Sequence, residues 1–295
     1  MADKMAGEMT GVTEFVYRLP GNTISTRPGS HRSNSRGSGM NFVSHARLMD
    51  QPDPRRLDLR ASIANIRKEW LVRVNQQRAA VAVTAIVDVS ATMHFGTECS
   101  KISVAADFLE ALGYSAGGLG DSVSLYAFDE QMRNDLTLPQ RYGRGTGLNM
   151  AAKIRSCKPT GPGAANIDAL AQCVDSVAGK TALIFIVSDF HFPINLLETF
   201  LDPLAGALVV PIVIWDRAEV EPPEGYGLLS VRQMGNNSSR HIWLTPEKRS
   251  QWQDNIEQRQ TQIAQAFASR DERPFYITRG FNPEKLSRYF METDI

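Results

Sequence analysis

The sequence predicts an α/β protein built on a doubly wound, mostly parallel sheet flanked by helices, with extensions at both ends. Three observations carry this expectation. Short apolar runs at 80–87, 181–190 (TALIFIVSDF) and 207–215 (ALVVPIVIW) have the length and valine content of strands buried on both faces. Amphipathic helical stretches alternate with them, as in successive βαβ units. Two of the runs end on an aspartate, Asp88 and Asp189. In such sheets ligands gather beyond the carboxyl ends of the strands, near the topological switch point.

Composition narrows the class. The chain has 295 residues, 42% of them hydrophobic, and a formal net charge of zero. No global field therefore draws it to nucleic acid or membrane. Three cysteines, Cys99, Cys157 and Cys173, form neither an even set nor a metal-ligand spacing, which points to a reducing cytosol. The start MADKMAGEMTG lacks the apolar core of a signal peptide, and apolar runs stay too short for a membrane span. A cytoplasmic protein without membrane insertion is expected.

Residues 1–40, rich in Gly, Ser, Arg and Asn, read as a flexible arm. Between positions 18 and 60 stand eight Arg and three Asp, without interleaved aromatics, so nucleic acid is not the expected partner. Residues 41–79 form a separate N-terminal segment: a charged, Pro-containing turn, then a strand in which Trp70, Val72 and Val74 alternate. The core domain is placed at 80–216. Its first strand is followed by a helix over 101–112, with Ile102, Ala105, Ala106, Leu109 and Leu112 on one face and Gly117, Gly118 and Gly120 as punctuation. A strand at 121–128, a weaker extended piece at 132–138, a helix at 146–157 and a loop at 158–166 follow. Helices at 167–177 and about 195–204 flank the second Asp-ending strand. An extension over 217–295 carries a loop at 221–227 and strands at 228–233 and 241–244. Thr245-Pro246-Glu247 then starts a helix to 269, with Trp252, Ile256, Ile263 and Phe267 on its core side. A strand at 274–278 and a helix from Pro283 close the chain.

After Asp88, side-chain oxygens recur at every second position, Ser90 and Thr92. Hard oxygen donors converging at a strand tip suit Mg²⁺. His94 and His191 follow the two aspartate loops closely. The chain has neither a G-x-x-x-x-G-K-[ST] phosphate loop nor a G-x-S-x-G elbow, so neither ATP hydrolysis nor triad chemistry is expected.

The motifs D-V-S-A-T-M at 88–93 and V-S-D-F at 187–190 resemble those of a von Willebrand factor A domain. G-S-H-R-S at 29–33, G-S-G-M-N-F at 37–42, D-P-R-R-L-D-L-R-A-S at 53–62 and L-V-R-V-N-Q-Q-R at 71–78 narrow the likeness. In this order they resemble the bacterial family of domain-of-unknown-function number 58, over most of 18–293. The resemblance implies a Rossmann-type α/β domain with a metal-ion-dependent adhesion site for a divalent cation, Mg or Mn. Asp88, Ser90 and Thr92 match its loop and Asp189 its distal aspartate. The family's threonine does not carry over: G-G-T-N-L falls on Gly163-Ala164-Ala165-Asn166-Ile167, and the methyl of Ala165 cannot coordinate. Either Asn166 or a water substitutes, or the site binds metal weakly or not at all; His94 and His191 read as a metallohydrolase's assistants or as packing at the rim. Many members resemble partners of MoxR-type AAA+ ATPases in maturation of, or metal insertion into, a client protein. The wording here looks most like the versions associated with methanol dehydrogenase assembly. The expected function is thus a non-enzymatic interaction adaptor with a degenerate metal site. The alternative is a small metal-dependent hydrolase using Asp88 and Asp189.

Overall fold

A computed structural model describes residues 14–19, 28–37, 41–194, 197–223, 227–232 and 239–292. In chain order, β1 (Pro28–Gly37), β2 (Asn41–Arg47), α1 (Leu59–Ala64) and β3 (Leu71–Ala79) form the N-terminal segment. Its three strands make an antiparallel sheet in the order β1-β3-β2. The core follows as β4 (Ala82–Asp88), α2 (Lys101–Leu119), β5 (Ser122–Phe128), β6 (Leu138–Tyr142), α3 (Gly145–Ser156), α4 (Ile167–Val177), β7 (Leu183–Ser188), α5 (Leu197–Leu201) and β8 (Leu208–Ile214). After α6 (Arg217–Val220), a hairpin of β9 (Gly227–Arg232) and β10 (Ser239–Leu244) leads to α7 (Pro246–Ala268), β11 (Phe275–Ile277) and α8 (Pro283–Glu292).

The central sheet has the order β11-β8-β7-β4-β5-β6, parallel throughout except for β6. The chain steps from β4 outward to β5, then returns to the other side of β4 with β7. The switch point therefore lies between β4 and β7. Period-two alternation sorts the strand side chains: Val83, Ala85 and Val87 face one apolar cluster, Ile86 the other. The first cluster holds α2, α3 and α8; the second holds α4, α5 and α7. No helix among the described residues is long and apolar enough to cross a membrane.

Helix α2 runs through Gly117 and Gly118 and stops at Gly120, whose φ of 79° closes it in the left-handed region. It meets α3 glycine against glycine. A Cβ on Gly113 would stand 2.3 Å from the Gly147 Cα, so only hydrogen lets the two backbones approach this closely.

Two expectations need correction, and three others lie partly outside the described residues. The extended piece at 132–138 is a turn, because Arg133 grips both Asp129 and Asp135, and the strand begins at Leu138. Of the 221–227 loop, the 228–233 strand and the helix expected from about 195, residues 195–196, 224–226 and 233 lie outside the described residues. The expectation of a flexible arm over 1–40 fails where the structure describes it, at 14–19 and 28–37. Phe15 and Tyr17 are core residues, packed on Phe108 and Phe290 respectively. At 29–31 the G-S-H motif is a staple. Gly29 lies flat against the Ala80 backbone, Ser30 Oγ donates to the Leu119 carbonyl at 3.0 Å, and His31 Nε2 meets Asp121 at 2.8 Å. Asp121 is buried and also accepts from Tyr17 OH at 2.6 Å and the Val81 amide at 2.8 Å. Two apolar rings and one buried acceptor hold segments whose Gly/Ser-rich surroundings conceal them.

Candidate functional site

The parallel pairing of β4 and β7 sets Val87 beside Val187, so the next residues, Asp88 and Ser188, meet at the strand ends. Asp88 is 0% exposed; its Oδ2 accepts from the Ser188 hydroxyl at 2.7 Å and its Oδ1 from the Ser90 amide at 2.9 Å. The Ser90 and Thr92 hydroxyls lie 3.1 Å apart, and Thr92 also hydrogen-bonds Asp189. Asp189 is 1% exposed and accepts from the His191 amide on Oδ1 at 3.1 Å. Its Oδ2 receives the ammonium of Lys101 at 2.7 Å, and the same Nζ reaches Glu219 Oε1 at 2.9 Å. Four chain segments thus converge: the loops after β4 and β7, α6 after β8, and the first residue of α2.

These contacts dictate the charge states. Burial foremost, then repulsion from Asp189, pushes Asp88 up to about 7 against the pull of Ser90 and Ser188. Burial also works to raise Asp189, but the Lys101 and His191 charges and the bonds from Lys101 and Thr92 outweigh it and hold the group below the usual carboxylate range. For Lys101, burial alone lowers the pKa; Asp189 and Glu219 reverse the sign and hold the ammonium charged.

The Asp189 loop is fastened from outside. Trp215 Nε1 donates to the Asp189 carbonyl at 2.8 Å, and Arg259 on α7 donates to the carbonyls of Phe190 and Phe192. Phe190 has a φ of 51°, rare for a bulky residue, and its ring is fully buried. Strain of this kind persists only where surroundings over-determine the backbone. Lys101, Arg259, Phe190 and Trp215 are absent from the sequence-based set. Their signals, a polar first residue of a helix or one arginine in a long helix, are local and carry no hint of this convergence. A further carboxylate, Asp129, ends β5 and accepts from Arg133 and from the Thr160 amide, anchoring the 158–166 loop.

The remaining sequence candidates have other partners. Asn166 is exposed and its side chain caps α4, accepting from the Asp168 amide at 3.0 Å. Ala165 is buried in the apolar cluster with Ile86 and Phe128. His94 Nε2 is buried without a hydrogen-bond partner among the described residues, and burial lowers the ring's pKa. His191 lies parallel to the Trp215 ring at 6.4 Å, with Nε2 3.6 Å from Glu219. It stands on the rim of a groove of about 940 Å³ between α7 and the β7 and β8 ends, lined among others by Trp215, Leu244, Trp252, Ile256 and Arg259. The α7 stripe therefore divides: Ile263 and Phe267 are core, while Trp252 and Ile256 line this groove.

The donor set does not fit a resident divalent cation. Both oxygens of Asp88 and both of Asp189 already accept hydrogen bonds, Ala165 offers a methyl, and an ammonium already answers the Asp189 charge. Each engaged oxygen keeps a second lone pair, so the obstacle is the ammonium at 2.7 Å and the missing hydroxyl at 165.

Fold and site together define an α/β protein of the doubly wound class, with a buried, charge-paired cluster at its switch point. The chain belongs to the family described as protein of unknown function DUF58, which matches residues 53–262. Among solved structures it is similar to the conserved hypothetical protein BatB from Bacteroides thetaiotaomicron, at 15% identity over 72% of this chain and 98% of that one, TM-score 0.43. It is also similar to the SpRpn10 VWA domain, at 12% identity over 71% of this chain and 93% of that one, TM-score 0.38. No curated protein matches the chain.

Proposed function

We propose that this protein is a non-enzymatic interaction adaptor that presents the carboxyl edge of its sheet to another protein. One observation carries the reading: the carboxylates are sealed beneath their loops, while the rim beside them is an aromatic groove with polar ends. A general base needs access to its substrate's proton. An interface needs an aromatic anchor in a fixed frame: half-buried Trp252 supplies the anchor, and buried Trp215, bonded to the Asp189 carbonyl, helps fix the frame. The resemblance to partners of MoxR-type AAA+ ATPases suggests such an ATPase as the partner, in maturation of, or metal insertion into, a client such as methanol dehydrogenase. The test is co-purification of the tagged full-length chain from its native host, comparing wild type with Trp252→Ala and Asp88→Ala. The reading expects an AAA+ ATPase with wild type and at least a tenfold loss with Trp252→Ala, the scale of a single interface anchor of about 1.4 kcal/mol. Undiminished capture by both variants would place the interface elsewhere.

A further inference from the structure

The resemblance implies a metal at this site; the side chains supply a different cation. Lys101 occupies the first helical position of α2, where the helix dipole disfavours positive charge, and its side chain is only 2% exposed. An ammonium in such a place is costly unless it is paired and fully hydrogen-bonded. Here it is paired twice, with Asp189 at 2.7 Å on the loop after β7 and with Glu219 at 2.9 Å on α6. Glu219 is itself held by its part in the Asp216 capping box, and Asp216 ties down Thr97 of the loop leading into α2.

We infer that the Lys101 ammonium is the site's built-in counter-cation, so that the Asp88–Asp189 edge is assembled and works without a bound divalent ion. The observation is a juxtaposition. The distal aspartate of the metal-site pattern is bonded to a buried lysine from the same chain, and that lysine bridges to α6. A metal would have to sit within contact of Asp189 while a fixed positive charge stands 2.7 Å from the same carboxylate. On the adaptor reading, the partner is then recognised by the aromatic groove and not by donating a carboxylate to a metal.

The experiment is a Mn²⁺ titration of the purified full-length protein, followed by electron paramagnetic resonance. It needs no partner, so its failure is separate from failure of the adaptor reading. Wild type and Ala165→Thr are expected to bind no tighter than about 1 mM, the weak end of protein sites for hard divalent ions. Lys101→Gln, which removes the charge but keeps a donor, is expected to bind about 10–100-fold tighter, with Asp88→Ala abolishing the gain. Micromolar binding by wild type that is lost in Asp88→Ala would overturn the inference. So would tight binding by Ala165→Thr, which would make the missing threonine the obstacle. Equal affinities for wild type and a folded Lys101→Gln would overturn it as well. If circular dichroism shows Lys101→Gln unfolded, the wild-type and Ala165→Thr titrations decide.

Discussion

Asparagine at position 88 keeps the shape of the aspartate and an acceptor for the Ser90 amide, and removes only the ionisable oxygen. In the folded protein Asp88 titrates at about 7 because it is buried and faces Asp189, against 3.8 for an ordinary aspartate. A carboxyl raised in this way binds a proton in the native state that the unfolded chain has already released. Its contribution to stability is therefore complete below the unfolded pKa and is lost as pH rises through the folded one. From about pH 5 up to its own pKa, roughly two pH units, the native group keeps a proton the unfolded chain lacks, and at 1.36 kcal/mol per unit the loss between about pH 5 and about pH 8 is about 3 kcal/mol. Asp88→Asn has no such slope. Urea denaturation of both proteins at the two pH values is expected to move the difference in unfolding free energy by about 3 kcal/mol in the variant's favour at the higher pH. Parallel stability curves would refute the argument, because they would mean that Asp88 is ionised in both states and that the cluster tolerates both charges.

Other outcomes follow from the packing. Asp121→Ala leaves Tyr17, His31 and the Val81 amide without their buried acceptor and should cost about 3 kcal/mol or more in denaturant unfolding, whereas a solvated arm would register no change. Gly113→Ala puts a methyl onto the Gly147 backbone and should destabilise by about 1–3 kcal/mol with a parallel fall in melting temperature. Gly120→Ala meets no atom within 4 Å, so its cost is backbone alone, about 1–2 kcal/mol from the left-handed φ; an unchanged melting temperature would contradict that account.

Much of the fold was legible because burial writes itself into period. Helix α4 spans Ile167–Val177, the range that its apolar spacing marks out, and Asp88 and Asp189 stand out because each breaks a run of valines and isoleucines. The antiparallel edge strand was displaced because β6 is largely exposed, so no alternation records it. Lys101 was illegible for the opposite reason. A lysine at the start of an amphipathic helix has the pattern of a solvated residue, and its burial comes from loops 88 and 118 positions away. Phe15 and Tyr17 were masked by their neighbours' composition. The family resemblance offers Asn166 as one substitute ligand beside a water, yet Asn before an apolar helical run is a helix cap on local grounds alone.

The strip at 14–19 packs against α8 and the residues just before it. The Phe15 amide donates to Ser115 and the Val16 amide to Ser287, 271 positions away, while Phe15 meets Phe281 and Tyr17 meets Phe290. One face of the central sheet is therefore closed jointly by segments from opposite flanks of the α/β core. The stretch 53–262 shared with the family contains neither partner of that closure. Expressed alone, it would carry an open aromatic face, and any trimming experiment on this protein must keep both segments or lose the same layer from either side.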